Sequence, residues 1–327
     1  MILAGDIGGT NARLAFFDVE DGRLGLFSAT VFPSHEYAGL DQIVAEFTET
    51  SNVRPDQACF GVAGPVRNGR VETSNLPWIV ESERLANELD IAKVFLINDL
   101  EATAWGIADL DLKDAVALNP VKGTPIGNQA VIAAGTGLGE AGMYWDGTHH
   151  QVFASEGGHT DFAPRNELEI ELFRHLNAKF GRVSYERILS GPGLVNVFNF
   201  LRDSGRGTEP QWLTEQMQSS DPAAAISQAA MNSSCSLCEQ AIDIFVSVYA
   251  AEAGNLALKM MATGGVFLGG GIAPKILSKL SLPSFMRAFV TKGRMQPLLE
   301  SIPVKVITND KISLFGAARC AMVKSTG

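Results

Sequence analysis

The chain has 327 residues, 46% of them apolar, and a formal net charge of −10. That length is too great for one ordinary core and suits two domains, and the apolar share excludes a disordered chain. The acidic balance excludes a nucleic-acid surface, which needs clustered Lys and Arg, but it leaves room for a nucleotide held by backbone amides and Mg2+.

Taken in chain order, Ile2 to Ala4 is an apolar run that enters the turn Asp6-Ile7-Gly8-Gly9-Thr10-Asn11. Arg13–Val19 and Leu24–Phe32 flank Asp21-Gly22, which predicts a β-hairpin. Leu40, Ile43, Val44 and Phe47 recur at helical spacing and predict an amphipathic helix. Ala58–Ala63 reads as a strand. Ser82 reads as the N-cap of a helix carrying Leu85, Ala86 and Leu89. Val94–Ile97 is a buried strand running into Asn98-Asp99.

The order then restarts. Ala130–Ala134 enters Gly135-Thr136-Gly137-Leu138-Gly139, followed by a hairpin turned at Asp146-Gly147. Leu168, Leu172, Phe173 and Leu176 predict one helix, and Ile242 through Leu256 a long one. Val266–Leu268 is a strand entering Gly269-Gly270-Gly271. Val304–Ile307 is a strand, and Ser313–Met322 a helix rich in small residues. A strand, a glycine turn and a hairpin thus occur twice, which predicts two related α/β domains with a cleft between them.

No apolar run approaches the length of a bilayer span. Met1–Asp6 has neither a basic region nor a signal-like stretch, so the expected location is the cytoplasm, with no membrane partner. Cys59, Cys235, Cys238 and Cys320 are scattered, which suits reduced thiols. A zinc or redox role for Cys235-x-x-Cys238 needs a second ligand pair or a βαβ context; otherwise these are ordinary residues at a helix start.

The first glycine turn lies between two strands, so it is neither a dinucleotide fingerprint nor a P-loop. Its glycines can bring backbone N–H groups to an anion, Thr10 and Asn11 can add hydrogen bonds, and Asp6 can hold Mg2+ directly or through water. A plain tight turn explains the glycines but not their neighbours. Gly135–Gly139 repeats the chemistry, and Gly269–Gly271 is a third site of close approach. Asp99 fits two roles at this point, a general base or a helix N-cap.

Eight segments together resemble the bacterial glucokinases of the hexokinase/actin-like superfamily from end to end: 6–11, 61–66 (Gly-Val-Ala-Gly-Pro-Val), 75–78 (Asn-Leu-Pro-Trp), 97–99 (Ile-Asn-Asp), 135–139, 156–159 (Glu-Gly-Gly-His), 186–191 (Glu-Arg-Ile-Leu-Ser-Gly) and 268–272 (Leu-Gly-Gly-Gly-Ile). The compact cysteine cluster of the repressor/ORF/kinase-type sugar kinases does not follow Glu156 and His159, so no zinc is expected, and with five residues before Asp6 the helix-turn-helix domain of the repressor members is not expected either.

The resemblance implies a fold of two RNase-H-like α/β domains, about 1–109 plus 304–327 and 110–303. It implies ATP and Mg2+ as cofactors and a homodimer, for which the long helices are the natural surface. It implies phosphorylation of D-glucose at the 6-hydroxyl with Asp99 as base, and a sugar site of Asn75, Asn98, Asp99, Glu156, His159 and Glu186. Asp6, Ile7, Gly8, Gly9, Thr10 and Asn11, with Gly135, Thr136 and Gly137, would face the phosphates, and Gly269, Gly270 and Gly271 the adenosine. From the residues alone, His159 also reads as a satisfied structural histidine, and Glu186 as a first-turn residue favoured by the helix dipole. A kinase for another hexose and a sugar-binding regulatory protein on the same fold are the alternatives.

Overall fold

The hydrophobic alternation within the first strand explains the layering of the N-terminal half. In this computed structural model, which describes residues 1–73, 76–121, 123 and 125–326, the chain forms two units. One comprises Met1–Asp114, Val152–Ala154 and Asn309–Gly327, the other Ala115–Gln151 and Ser155–Thr308.

The first unit carries β1 (Ile2–Ile7), β2 (Asn11–Glu20), β3 (Arg23–Pro33), α1 (Leu40–Ser51), β4 (Gln57–Val62), the short pair β5 (Arg70–Glu72) and β6 (Ile79–Glu81), α2 (Ser82–Leu89), β7 (Lys93–Asn98) and α3 (Asp99–Gly106). Its sheet has the order β3-β2-β1-β4-β7; β1 is antiparallel to β2, and β1, β4 and β7 are parallel. Successive β-strand side chains point to opposite faces. Leu3 and Ile7 accordingly pack with Ile43, Val44, Phe47 and Leu85 of α1 and α2. Ile2 and Ala4 pack with Ala102 of α3 and with Leu314, Ala317 and Ala321 of the C-terminal helix Ile312–Thr326. That helix is small-residue-rich because it lies against α3 at backbone distance: a Cβ on Gly316 would stand 1.7 Å from the Ala102 carbonyl.

The β2–β3 hairpin turns at Asp21 and Gly22 with φ of 50° and 75°, the two positive values that make Asp-Gly suit such a turn. Ser82 is the first residue of α2, and Glu81 occupies the N-cap without a side-chain bond. The capping expectation for Ser82 therefore fails by one residue, because strand β6 runs directly into the helix.

The second unit carries β8 (Ala115–Ala117), β9 (Gln129–Ala134), β10 (Leu138–Trp145), β11 (His150–Ser155), α4 (Glu167–Phe180), α5 (Gly191–Asp203), α6 (Gln211–Ser219), α7 (Pro222–Met231), α8 (Ser236–Met260), β12 (Gly265–Gly269), α9 (Leu277–Leu280), α10 (Pro283–Val290), α11 (Gln296–Glu300) and β13 (Val304–Ile307). The sheet order β11-β10-β9-β12-β13-β8 repeats that of the first unit with one added edge strand. The repeat expected from the glycine turns is thus a repeat of strand order, with β10 antiparallel and β12 parallel to β9.

Helix α8 has 25 residues and meets the length and apolar composition of a membrane span, which the sequence reading did not anticipate. It is a core helix: 78% of its most apolar window is buried, it carries the fully buried Glu252, and it packs with β9 and β12 in one apolar cluster. Cys235 is its N-cap, with Sγ accepting from the Cys238 N–H at 3.3 Å. Cys59, Cys235, Cys238 and Cys320 are all buried and unbridged.

Candidate active site

In each unit the candidate residues leave one edge of the sheet, where parallel strands end together. In the first unit, Ile7 pairs with Val62 and Val62 with Asn98, so the Gly8–Asn11 turn and Asn98-Asp99 leave the sheet side by side. Ligands of open α/β sheets bind at such carboxyl ends. The turn is closed by the Gly8 N–H donating to the Asn11 carbonyl at 3.0 Å, and it is anchored by the Ser34 hydroxyl on the Gly8 carbonyl at 2.8 Å. Thr10 and Asn11 are exposed. Asp6 pairs in register with Arg13; burial pushes its carboxyl above the usual range while Arg13 pulls it down.

Asn98, not Asp99, is the N-cap of α3. Its Oδ1 accepts from the Leu100 N–H at 2.9 Å and its Nδ2 donates to the Gly64 carbonyl at 3.1 Å. Asp99 is the first helical residue, and its Oδ1 also accepts from the Leu100 N–H at 2.9 Å. The N-terminal end of a helix favours a carboxylate there. The capping alternative for Asp99 is therefore met by its neighbour. Gly61 lets α3 sit close, since a Cβ there would lie 2.7 Å from the Ala102 Cβ. Asn75 lies outside the described residues.

In the second unit, Ala133 pairs with Gly269, so the Gly135–Gly137 and Gly270–Gly271 turns also leave adjacent strand ends. The first is closed by the Gly135 N–H on the Gly137 carbonyl at 2.9 Å. The second fits only a glycine: Gly270 has φ +79°, and a Cβ would stand 2.3 Å from the Ala134 carbonyl. Nothing would obstruct a Cβ on Gly135 or Gly271, so backbone there is open to a ligand.

Glu156, His159 and Glu186 come together in this unit. His159 stands 3.9 Å from Glu156 and 3.8 Å from Glu186. Glu156 and His159 are 59% and 56% exposed and Glu186 31%, so all three can meet a ligand and none is a sealed structural residue. Backbone bonding brings them there. The Gly157–His159 3-10 turn is followed by Thr160, whose carbonyl takes the Tyr185 N–H at 3.0 Å, while Phe162 bonds Val183 at 2.9 Å. Arg182 adds its guanidinium to the His159 carbonyl. Glu186 lies in a second 3-10 turn, Tyr185–Arg187, and its Oε2 accepts from the Leu138 N–H at 3.1 Å. The carboxylate is thereby held against the glycine turn, which the reading of Glu186 as a first-turn residue did not anticipate.

The sequence reading missed three supports of this arrangement. Ser190 caps α5 through the Gly193 N–H at 3.0 Å and donates to the Glu186 carbonyl at 2.8 Å. Tyr185 is buried and accepts from Asn255 Nδ2 at 3.0 Å. Glu140 is buried beneath Gly157. A Ser just before Gly-Pro was a legible cap signal; Glu140 sits in an apolar strand pattern that carries none.

Among the described residues no cluster of three or more His, Cys, Asp or Glu could hold a metal ion. A Mg2+ ion does not need such a cluster, since it keeps several waters and takes substrate phosphate oxygens when bound by one carboxylate.

A glucokinase family model matches residues 3–324. The chain is 43% identical to a glucokinase of Nostoc sp., over 98% of each chain. It is similar to the crystal structure of a glucokinase from an Antarctic psychrotroph, at 32% identity and TM-score 0.85 over 98% of each chain. A glucokinase of the repressor/ORF/kinase type from Streptomyces griseus, solved with glucose and AMPPNP, shares the fold at 20% identity and TM-score 0.67, over 98% of this chain and 99% of its own.

Proposed function

The chain belongs to the glucokinase family, and on that premise we propose that it transfers the γ-phosphoryl group of ATP to the 6-hydroxyl of D-glucose with Asp99 as general base. The observation that carries the sugar-binding half of this reading is the convergence of Glu156 and Glu186 on His159, at 3.9 and 3.8 Å.

A hexose presents hydroxyls that both donate and accept. Two carboxylates and an imidazole satisfy them, and a sugar that lacks a matching hydroxyl leaves one of these groups unpaired. Asn98 and Asn75 complete the set in this proposal. Asp99 takes the 6-hydroxyl proton as the phosphoryl group arrives; a carboxylate suffices because the proton leaves late. The turns Asp6–Asn11 and Gly135–Gly137 offer N–H groups to phosphate oxygens, and Gly269–Gly271 gives the adenosine close approach to the backbone. Mg2+, held by Asp6 directly or through water, would neutralise phosphate charge. Four unbridged cysteines support a reducing cytoplasmic location. We also propose a homodimer, which family resemblance supports; light scattering on the purified protein tests it.

Asp99→Ala tests the base. The variant is expected to bind glucose by calorimetry while turnover falls by about 10²–10⁴-fold or more; turnover within tenfold of the parent overturns the assignment. A coupled assay across glucose, mannose, fructose and N-acetylglucosamine tests the sugar, and a lack of preference for glucose overturns it.

A further inference from the structure

Beneath the exposed pair Glu156 and His159 lies a carboxyl group that the mechanism does not use. Glu140, on β10, is 1% exposed, and its Oε1 has no hydrogen-bond partner among the described residues. A polar atom buried without a partner costs free energy, so its retention calls for an explanation. Its Oε2 lies directly under the sugar-binding turn: a Cβ placed on Gly157 would stand 1.8 Å from it, and 3.2 Å from Ser155 Oγ. The next residue, Gly158, is equally close to β10, since a Cβ there would stand 2.0 Å from the Leu138 carbonyl. The turn is tied down above this floor by Gly157 N–H on Ser155 Oγ at 3.0 Å, by Thr160 on the Gly157 carbonyl, and by His159 N–H on the Glu156 carbonyl at 3.0 Å. The position of Gly157 therefore sets where Glu156 and His159 project.

We propose that Glu140 is a positioning residue for glucose binding: as a neutral carboxylic acid it forms the floor on which the Gly157–Gly158 turn rests, and its ionisation displaces that turn and weakens the hold of Glu156 and His159 on the sugar. The inference depends on the reading of Glu156 and His159 as sugar ligands.

The surroundings favour the neutral form. Burial first, and then the carboxylate of Glu252, push Glu140 up to about 7, with Lys259 pulling the other way. The groups facing it come from every neighbour of β10. Helix α8 brings Glu252, Lys259 and the buried Tyr249; Lys259 is engaged by Glu252 at 3.1 Å, and Tyr249 donates to the Ile132 carbonyl at 3.0 Å. Strand β9 has no titratable residue. Strand β11 brings His150, which bonds the Gly127 carbonyl at 3.0 Å. The turn itself brings Glu156 and His159, and the Tyr185–Arg187 turn brings Glu186 against Leu138. Among the described residues Lys259 is thus the cation that pulls Glu140 down, and it is shared with Glu252. Ionising Glu140 sets two buried carboxylates against the ammonium of the half-exposed Lys259, a state relieved by movement of the adjacent turn.

Steady-state kinetics of the full chain from pH 6 to 8.5 test this, with Glu140→Gln, Glu140→Ala and Glu156→Ala beside the parent. In the parent, the glucose KM should rise several-fold through about pH 7 while the ATP KM does not follow it. Glu140→Gln keeps the size and neutrality of the acid, so its glucose KM should match the parent at pH 6 within about twofold and stay flat above it. Glu140→Ala should raise the glucose KM at every pH by about tenfold or more. A Gln variant that retains the parent's pH profile overturns the proposal, whether or not the Ala variant folds; so does an Ala variant with the parent's KM. If Glu156→Ala leaves the glucose KM unchanged, it is the sugar-site reading that falls. If Glu156→Ala raises it and the Glu140 variants do not, only the positioning role falls.

Discussion

Glu186 Oε2 accepts a hydrogen bond from the backbone N–H of Leu138 at 3.1 Å, so a residue of the second 3-10 turn is fastened to the first residue of β10. The missing side chain at Gly137 makes this possible. A Cβ there would stand 2.6 Å from Glu186 Oε2, the mobile end of a flexible side chain, so Glu186 and not the backbone would yield. Gly137→Ala is therefore expected to raise the glucose KM by about tenfold, with little change in thermal stability. An unchanged KM would show that Glu186 need not be held there.

Gly270→Ala meets backbone instead. The left-handed φ of +79° and a Cβ 2.3 Å from the Ala134 carbonyl leave no rotamer to adjust. The substitution should cost about 1–3 kcal/mol of stability in urea unfolding, and it should raise the ATP KM more than the glucose KM, because the turn is assigned to the adenosine.

Gly316→Ala probes the support of Asp99 from a distant stretch of chain. The new methyl would stand 1.7 Å from the Ala102 carbonyl and must push the C-terminal helix away from α3. A loss of about 1–3 kcal/mol is expected, together with a fall in kcat, since Asp99 begins α3. Chemical denaturation and kinetics at saturating substrates measure the two effects. A large loss of stability with an unchanged kcat would show that Asp99 is positioned by β7 alone.

Stability should also carry the signature of Glu140. Its carboxyl moves from 4.5 in the unfolded chain to about 7 in the fold. A raised acid favours the folded state below the unfolded value, and this contribution is lost as pH rises through about 7. The full difference is roughly 3 kcal/mol. Glu140→Gln should therefore be more stable than the parent at pH 8, and the gain should shrink towards pH 5. Denaturant midpoints at the two pH values check the sign.

Much of the fold was legible because its signals are local. The Asp21-Gly22 turn, the periodic face of α1 and the apolar strands at 94–97 and 266–268 need only their own neighbours. The repeated strand and glycine turn revealed the kinship of the two units. The fine placement of caps was not legible: Ser82 and Asp99 both carry capping chemistry, but where a helix starts depends on the strand that feeds it, and α2 and α3 begin one residue earlier than those readings required. The burial of α8 was equally hidden, because an apolar helix of that length reads alike in a membrane and in a protein core.

The sequence by itself determined the chemistry on offer: glycine turns after strands, an Asp after Asn98, the neighbours Glu156 and His159 in one turn, and Glu186 with no local reason to join them. Only the tertiary structure decided that these last three meet, since Glu186 reaches His159 through the backbone bonds that join 160–162 to 183–185. It alone decided that Glu140 lies under Gly157, because contact between a strand residue and a turn residue depends on packing across the sheet, which no spacing along the chain records.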